Sequence, residues 1–112
     1  MARVDDVREL AEKVMGWQTM KKWHDSFEIK HPTRSRCYWW EGLRNEYCWD
    51  PYTDAIAALE VVEAMAGRGY WMRAECTDNG WYVRFGGRRF HKSNSACEAI
   101  CTAALAAIRE AR

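Results

Sequence analysis

The sequence predicts an α+β domain with three helices and an antiparallel or mixed sheet of about four to five strands. Apolar residues recur at helical spacing near both ends of the chain, which predicts a first and a last helix. In the second half, Asn79-Gly80 separates two runs of alternating side chains, which is typical of a β-hairpin. One sheet with helices on its faces would bury every apolar stripe, so this is the expected architecture.

Size and composition favour a single globular domain over residues 1–112, with 48% hydrophobic and 29% charged residues. The net charge of +1 predicts no strong binding to nucleic acid. No apolar run approaches the roughly 20 residues that span a bilayer. The N-terminus lacks the apolar segment of an export signal, so we expect a cytoplasmic protein that does not associate with membranes.

The first half of the chain predicts one helix followed by short strands. An apolar stripe predicts a helix from Val4 to Met15, and Gly16 is suited to ending it in a left-handed conformation. The alternation around Phe27–Ile29 predicts a strand, and Cys37–Trp40 is a β-prone run that predicts another. Residues 46–49 fit either a third short strand or an irregular loop.

The second half carries clearer start and stop signals. Asp50 or Thr53 is expected to cap the second helix, which Gly67-Arg68-Gly69 ends. Strands are then predicted at Tyr70–Cys76 and Trp81–Phe85.

After this hairpin, Gly86-Gly87 predicts a second reversal, and Arg88–His91 is expected to form a short third strand. Ser95 with Glu98 matches the capping-box pattern and predicts the start of the last helix.

Neither the cysteines nor any sequence motif predicts catalysis or a bound cofactor. The five cysteines are odd in number and show no repeated spacing, which favours reduced thiols over disulfides. Cys97 and Cys101 lie one turn apart on an apolar helical stripe, where core packing is the better interpretation. We therefore expect a protein that is not an enzyme, with no metal and no cofactor.

Basic and aromatic residues share one face of the predicted hairpin. Trp71, Arg73, Tyr82 and Arg84 would lie together if the strands are in register. Such a face could bind phosphate and stack on bases, or a helix could cover it with arginine stems laid over tryptophan. Further aromatic residues at positions 39 and 40 predict an exposed cluster of the kind found at protein interfaces. The candidate ligand-binding residues are Trp39, Trp40, Trp71, Arg73, Tyr82, Arg84, Arg88, Arg89 and His91.

Four stretches of the chain, together spanning roughly Val7 to Leu105, resemble the phage ABA-sandwich domain family. They are Ala11–Trp17, Tyr52–Glu63, Gly69–Trp71 and Cys97–Leu105. The resemblance implies a bacteriophage protein with a three-layer α/β/α sandwich, and it implies no particular activity or catalytic residue.

By analogy of origin and size, and because arginine and aromatic residues occur without catalytic groups, the favoured function is non-enzymatic capture of a nucleotide-type immune signal of the host cell, which would counter antiphage defence. The alternative is a phage adaptor or inhibitor that binds a host protein through its exposed aromatic surface. If the chain forms an oligomer, a symmetric homodimer is the default for either function.

Overall fold

In a computed structural model that describes residues 3–22, 26–42 and 45–111, three helices and two antiparallel sheets form an α+β fold. The first helix, α1, covers Arg3–Glu9 and continues directly into a π-helical segment, Leu10–Val14. Gly16 follows with a φ of 75°, which confirms the predicted helix end. The π-helical winding was not predicted, because the apolar stripe alone does not distinguish it from an α-helix.

The two remaining helices begin at capping side chains. Helix α2 covers Ala55–Gly67, and Asp54 caps it by accepting a hydrogen bond from the backbone N–H of Ile56 at 3.1 Å. The predicted caps Asp50 and Thr53 are wrong, because Asp50 instead accepts bonds from Tyr52 N–H and the Thr53 hydroxyl in the preceding turn.

Helix α3 covers Ala96–Glu110, and Ser95 caps it as predicted. The Ser95 side chain accepts from the backbone N–H of Glu98, while the Glu98 carboxylate accepts from the Ser93 hydroxyl.

The strands of the first half form one sheet, in the order β1-β2-β3. Strand β1 covers Thr19–Lys21, β2 covers Ser26–Ile29 and β3 covers Tyr38–Trp40. We call this sheet A. Strand β1 was not predicted, and residues 46–49 contribute only an isolated bridge between Tyr38 and Cys48.

The strands of the second half form sheet B, in the order β4-β5-β6. Strand β4 covers Met72–Thr77, β5 covers Gly80–Phe85 and β6 covers His91–Ser93. Among the described residues there are thus six strands in two sheets, whereas the sequence predicted one sheet of four to five strands. Periodicity identifies strands but does not reveal which of them pair, so it could not divide them between sheets.

The core joins both sheets to the helices. Helix α3 packs on β5 and β6, α2 lies beside α3, and the π-helical segment contacts both α2 and α3. Arg109 near the end of α3 donates to Glu9 at 2.8 Å and to Asp6 at 3.0 Å, which ties it to α1. These bonds, led by the one to Glu9, raise the pKa of Arg109 despite partial burial.

The middle of the chain is attached to α2 through a buried aromatic cluster. The Trp49 ring meets Trp17 edge-on at 5.1 Å, and its indole N–H donates to the Glu60 carboxylate at 3.1 Å. The imidazole Nε2 of His31 lies 3.5 Å from the other oxygen of Glu60, and the His31 ring contacts Trp17 at 4.5 Å. Sequence analysis found no signal for this cluster, because its members come from distant parts of the chain.

The two adjacent tryptophans of β3 have opposite surroundings. Trp39 is 1% exposed and stacks on Phe27 at 6.1 Å, whereas Trp40 is 56% exposed. The prediction of an exposed Trp39-Trp40 pair is therefore wrong for Trp39, since successive strand residues point to opposite faces.

Replacing Trp39 with alanine is expected to destabilise the fold by about 3 kcal/mol, near the lower end of the range for buried aromatic residues. The lower end applies because the buried Trp39 indole N–H has no hydrogen-bond partner among the described residues, so its removal leaves no acceptor unsatisfied. Urea unfolding followed by far-UV circular dichroism measures the change. The matched control, Trp40→Ala, is expected to change the free energy of unfolding by no more than about 0.5 kcal/mol. Equal losses in the two variants would contradict the assigned faces.

Candidate functional site

The candidate site is the face of sheet B opposite the helices. On β5, Val83 and Phe85 are about 1% exposed and belong to the core on which α3 packs. Strand alternation places Tyr82 and Arg84 on the opposite face. We call this opposite face the outer face, and it carries Trp71, Arg73, Glu75, Tyr82, Arg84 and Lys92.

The strand register confirms that Arg73, Tyr82 and Arg84 lie together, and the Gly86 N–H bond to the Trp71 carbonyl extends this register to Trp71. Arg73 pairs across the strands with Arg84, and Glu75 pairs with Tyr82. On the other side of Tyr82 lies Lys92 of β6. Four of the predicted residues therefore share one surface, and Glu75 and Lys92 join them.

The β4 part of the outer face is open to solvent. Trp71 is 72% exposed, and the side chains of Arg73 and Glu75 are 65% and 52% exposed. No described helix can therefore lie over this part of the sheet. The sequence left two possibilities for this face, namely ligand binding or cover by a helix. Cover by a helix is wrong for this part of the face.

The electrostatic balance of the outer face is positive. Arg73, Arg84 and Lys92 are its cations, and Glu75 is its acidic residue, with Glu75 Oε1 lying 3.8 Å from Arg73 Nε. This ion pair is well exposed, so solvent screens it and it neutralises Arg73 only weakly. Two arginines directly opposite each other repel, and an anion placed between them would relieve this repulsion.

Arg84 is the most constrained cation of the face. Its guanidinium carbon lies 4.8 Å from the centre of the Phe90 ring, within the range of a cation–π interaction. Its Nε is enclosed and has no hydrogen-bond partner among the described residues. Leaving an enclosed donor of this kind unsatisfied costs stability.

Other predicted site residues lie away from the outer face. Arg88 Nη1 is 3.3 Å from Glu110 Oε1 of α3, and its guanidinium lies 5.7 Å from the Tyr70 ring. Arg89 is exposed in the turn before β6. Trp40 belongs to sheet A. The structure therefore does not bring these residues together with the hairpin group.

His91 lies on the helix side of sheet B, because it pairs with the buried Val83. Burial lowers its pKa, and the nearby Arg89 lowers it further. At pH 7 the imidazole is therefore neutral and adds no positive charge. Because the unfolded state binds this proton more readily, the contribution of His91 to stability is fully present above its unfolded pKa and is lost as the pH falls from there through its lower folded pKa.

Sequence analysis missed Lys92 because it placed the third strand at Arg88–His91 rather than His91–Ser93. The Arg88 N–H bonds to the Phe85 carbonyl at 3.4 Å, which closes a turn and delays the strand. Glu75 could have been found, since it has the same alternation as Arg73.

A shallow depression of about 400 Å³ lies beside Lys92, at the start of α3. Lys92, Ser93, Asn94, Ser95 and Glu98 line it. The Ser93 hydroxyl donates to Glu98, and Ser95 caps the helix. Both hydroxyls are therefore already engaged in hydrogen bonds at the start of α3.

The described residues include no metal-binding cluster, and three of the cysteines are shielded by burial. Within the described ranges, no three His, Cys, Asp or Glu side chains are grouped so that they could hold a metal ion. Burial raises the pKa values of Cys37, Cys97 and Cys101, so these thiols stay protonated and unreactive at neutral pH. None of the described helices is long and apolar enough to cross a membrane.

The sequence profile of the phage ABA sandwich domain matches residues 8–105. No curated protein and no solved structure shows a significant match to the chain. The matched region contains both sheets, α2 and most of α3. The chain therefore belongs to the phage ABA sandwich domain family.

Proposed function

We propose that this phage protein binds a small anionic ligand with an aromatic ring, most specifically a nucleotide signal of host immunity, and sequesters it from its receptor. The observation that supports this best is the outer face of sheet B. There Arg73, Arg84 and Lys92 outnumber the acidic Glu75 on a surface that is open along β4.

The chemistry of the face suits a phosphorylated aromatic ligand. A guanidinium presents a planar fork of donors that matches phosphate oxygens, and an aromatic ring can stack on a base. Arg84 offers a guanidinium held over the Phe90 ring, and Trp71 offers an exposed indole ring. The small excess of charge favours a compact ligand over a long polyanion, which needs many phosphate contacts.

Capture without turnover fits the residues of this face. Its polar side chains are cations, a carboxylate paired with Arg73 and a phenol. A hydrolase would need a nucleophile held by a base near an oxyanion donor. The proposed role is therefore to hold the ligand, with no cofactor taking part.

Isothermal titration against cyclic dinucleotides, cyclic trinucleotides and cyclic ADP-ribose isomers tests the proposal. We expect at least one of them to bind, and Arg84→Gln to weaken that binding about tenfold or more, because a bond to a charged group is lost. Arg36→Gln is the matched control, since Arg36 is exposed in the loop before β3. It should bind like the parent chain.

Failure of every ligand in the panel to bind the parent chain would contradict the proposal, as would undiminished binding to Arg84→Gln. Recovering the ligand from the denatured complex then separates capture from catalysis. Intact ligand supports sequestration, and a hydrolysed or linearised product contradicts it.

A second candidate function, binding to a host protein as an adaptor or inhibitor, is favoured by sheet A. The register places Met20 and Tyr38 on one face, on opposite sides of Glu28, and strand alternation places Trp40 on that face with Tyr38. Met20 is 54% and Trp40 is 56% exposed. Exposed apolar and aromatic side chains of this kind act as anchors in protein interfaces.

A pull-down from host lysate with the tagged chain tests this second candidate. Trp40→Ala is expected to lose a specific host protein that the parent chain retains, because an aromatic anchor typically contributes about 2 kcal/mol or more to binding. Trp71→Ala, which removes an exposed tryptophan of sheet B, is the matched control and should retain it. A partner that survives Trp40→Ala, or none above background, would exclude this surface.

A further inference from the structure

We propose that the chain forms a symmetric homodimer in which β4 pairs with β4 of a second copy, joining the two B sheets into one continuous six-stranded sheet. This inference does not rest on the proposed ligand. Strand β4 is the terminal strand of sheet B, and all six of its residues are exposed. Its outer edge carries no strand within the described part of the chain.

Strand β4 lacks most of the usual protection of an exposed edge. Natural proteins block such edges with charged side chains, especially lysine, and with proline, bulges or very short strands. The charged residues of β4, Arg73 and Glu75, are of opposite sign, so they can pair with those of a second copy. Strand β4 runs for six residues, Met-Arg-Ala-Glu-Cys-Thr, and pairs with β5 without a break in register. It therefore presents a row of backbone groups ready to pair.

The backbone groups that face the free edge can be identified. Gly86 N–H donates to the Trp71 carbonyl at 2.9 Å, and bonded pairs recur at every second residue of an antiparallel ladder. Trp71, Arg73, Glu75 and Thr77 therefore direct their backbone groups toward β5. Met72, Ala74 and Cys76 direct theirs outward.

Antiparallel pairing about Ala74 uses all of these outward groups. Ala74 lies opposite Ala74 of the second copy, and Met72 lies opposite Cys76 of the second copy. Each of these pairs exchanges two backbone hydrogen bonds. Arg73 then lies opposite Glu75 of the second copy, in the intervening pair, where side chains approach most closely.

The charges of β4 select this register over its neighbours. Pairing about Arg73 would place Arg73 opposite its own copy, and pairing about Glu75 would place two carboxylates opposite each other. Like charges directly opposite destabilise strand pairing. Only pairing about Ala74 gives two opposite-charge contacts, so the two 3.8 Å ion pairs within strands, one in each copy, are exchanged for two between the copies.

The proposed pairing also brings exposed apolar side chains of the two copies to the same side of the joined sheet. The symmetry axis is perpendicular to the extended sheet, so the helices of both copies lie on the same side of it. Helix α2 contacts β4 and carries Ile56 and Leu59, which are 68% and 57% exposed. Dimerisation brings a second α2 to that side and places both outer faces on the other.

Sedimentation velocity of the full chain under reducing conditions tests the dimer over a range of concentrations. We expect the parent chain to dimerise. Arg73→Glu and Glu75→Arg should each weaken the dimer about tenfold or more, because both opposite-charge contacts become repulsive. Lys30→Glu, which changes an exposed lysine outside sheet B, is the control and should dimerise like the parent chain.

Mixing the two variants separates strand pairing from a folding defect. In a mixed dimer, the glutamate introduced at position 73 of one chain lies opposite the arginine introduced at position 75 of the other. At the second contact, the unchanged Glu75 of the first chain lies opposite the unchanged Arg73 of the second, so opposite charges are restored at both places. We expect Arg73→Glu and Glu75→Arg to form a heterodimer while each alone is mainly monomeric.

A parent chain that stays monomeric up to millimolar concentration would overturn the proposal. A mixture of the two variants that stays monomeric, or single variants that dimerise normally, would overturn it as well.

Discussion

The packing of α3 against β5 is the contact on which the rest of the structure depends. Alanines form much of the buried side of α3, which allows its backbone to approach the sheet and α2 closely. The buried residues of this helix are Ala99, Ile100, Cys101, Ala103, Ala104, Leu105 and Ala107. At its far end, Arg109 binds Asp6 and Glu9, so the same helix joins the two ends of the chain.

This packing also determines which surfaces stay open. Because α3 lies over β5 and β6, the helix layer covers one face of sheet B and leaves all six residues of β4 exposed. The open outer face and the free edge of β4 therefore both follow from the one-sided packing of the helices on sheet B. The basic ligand surface and the proposed dimer both use the part of the sheet that the helices do not reach.

Local signals in the sequence predicted where helices begin and end better than they predicted how the helices and strands pack together. Ser95 and Gly16 were correctly assigned, because a cap and a left-handed glycine depend on residues nearby in the chain. The buried side of α2 could not be predicted in this way, since its apolar residues include Leu59, which is 57% exposed, as well as the buried Ala57 and Val61. Helix α2 is apolar on most sides, so spacing alone could not determine which side faces the core.

The residues of the candidate site could be predicted only where a short turn determines how two neighbouring strands pair. The two-residue loop between β4 and β5 fixed the pairing of Arg73 with Arg84, so the hairpin group was correctly placed. The connection to β6 is longer, and there the sequence misplaced His91 and missed Lys92. Trp39 and Trp40 could not be assigned to faces, because that assignment requires knowing which side of sheet A meets the helices.

The most direct test of this one-sided packing is solvent paramagnetic relaxation, measured by NMR with a soluble gadolinium chelate. A dilute sample keeps the chain monomeric. The indole N–H of Trp71 and the guanidinium N–H of Arg73 should relax strongly, while the Val83 methyl groups and the Trp39 indole N–H should stay protected. If Trp71 and Arg73 were as protected as Trp39, a covering layer would lie over sheet B, and the open outer face would be contradicted.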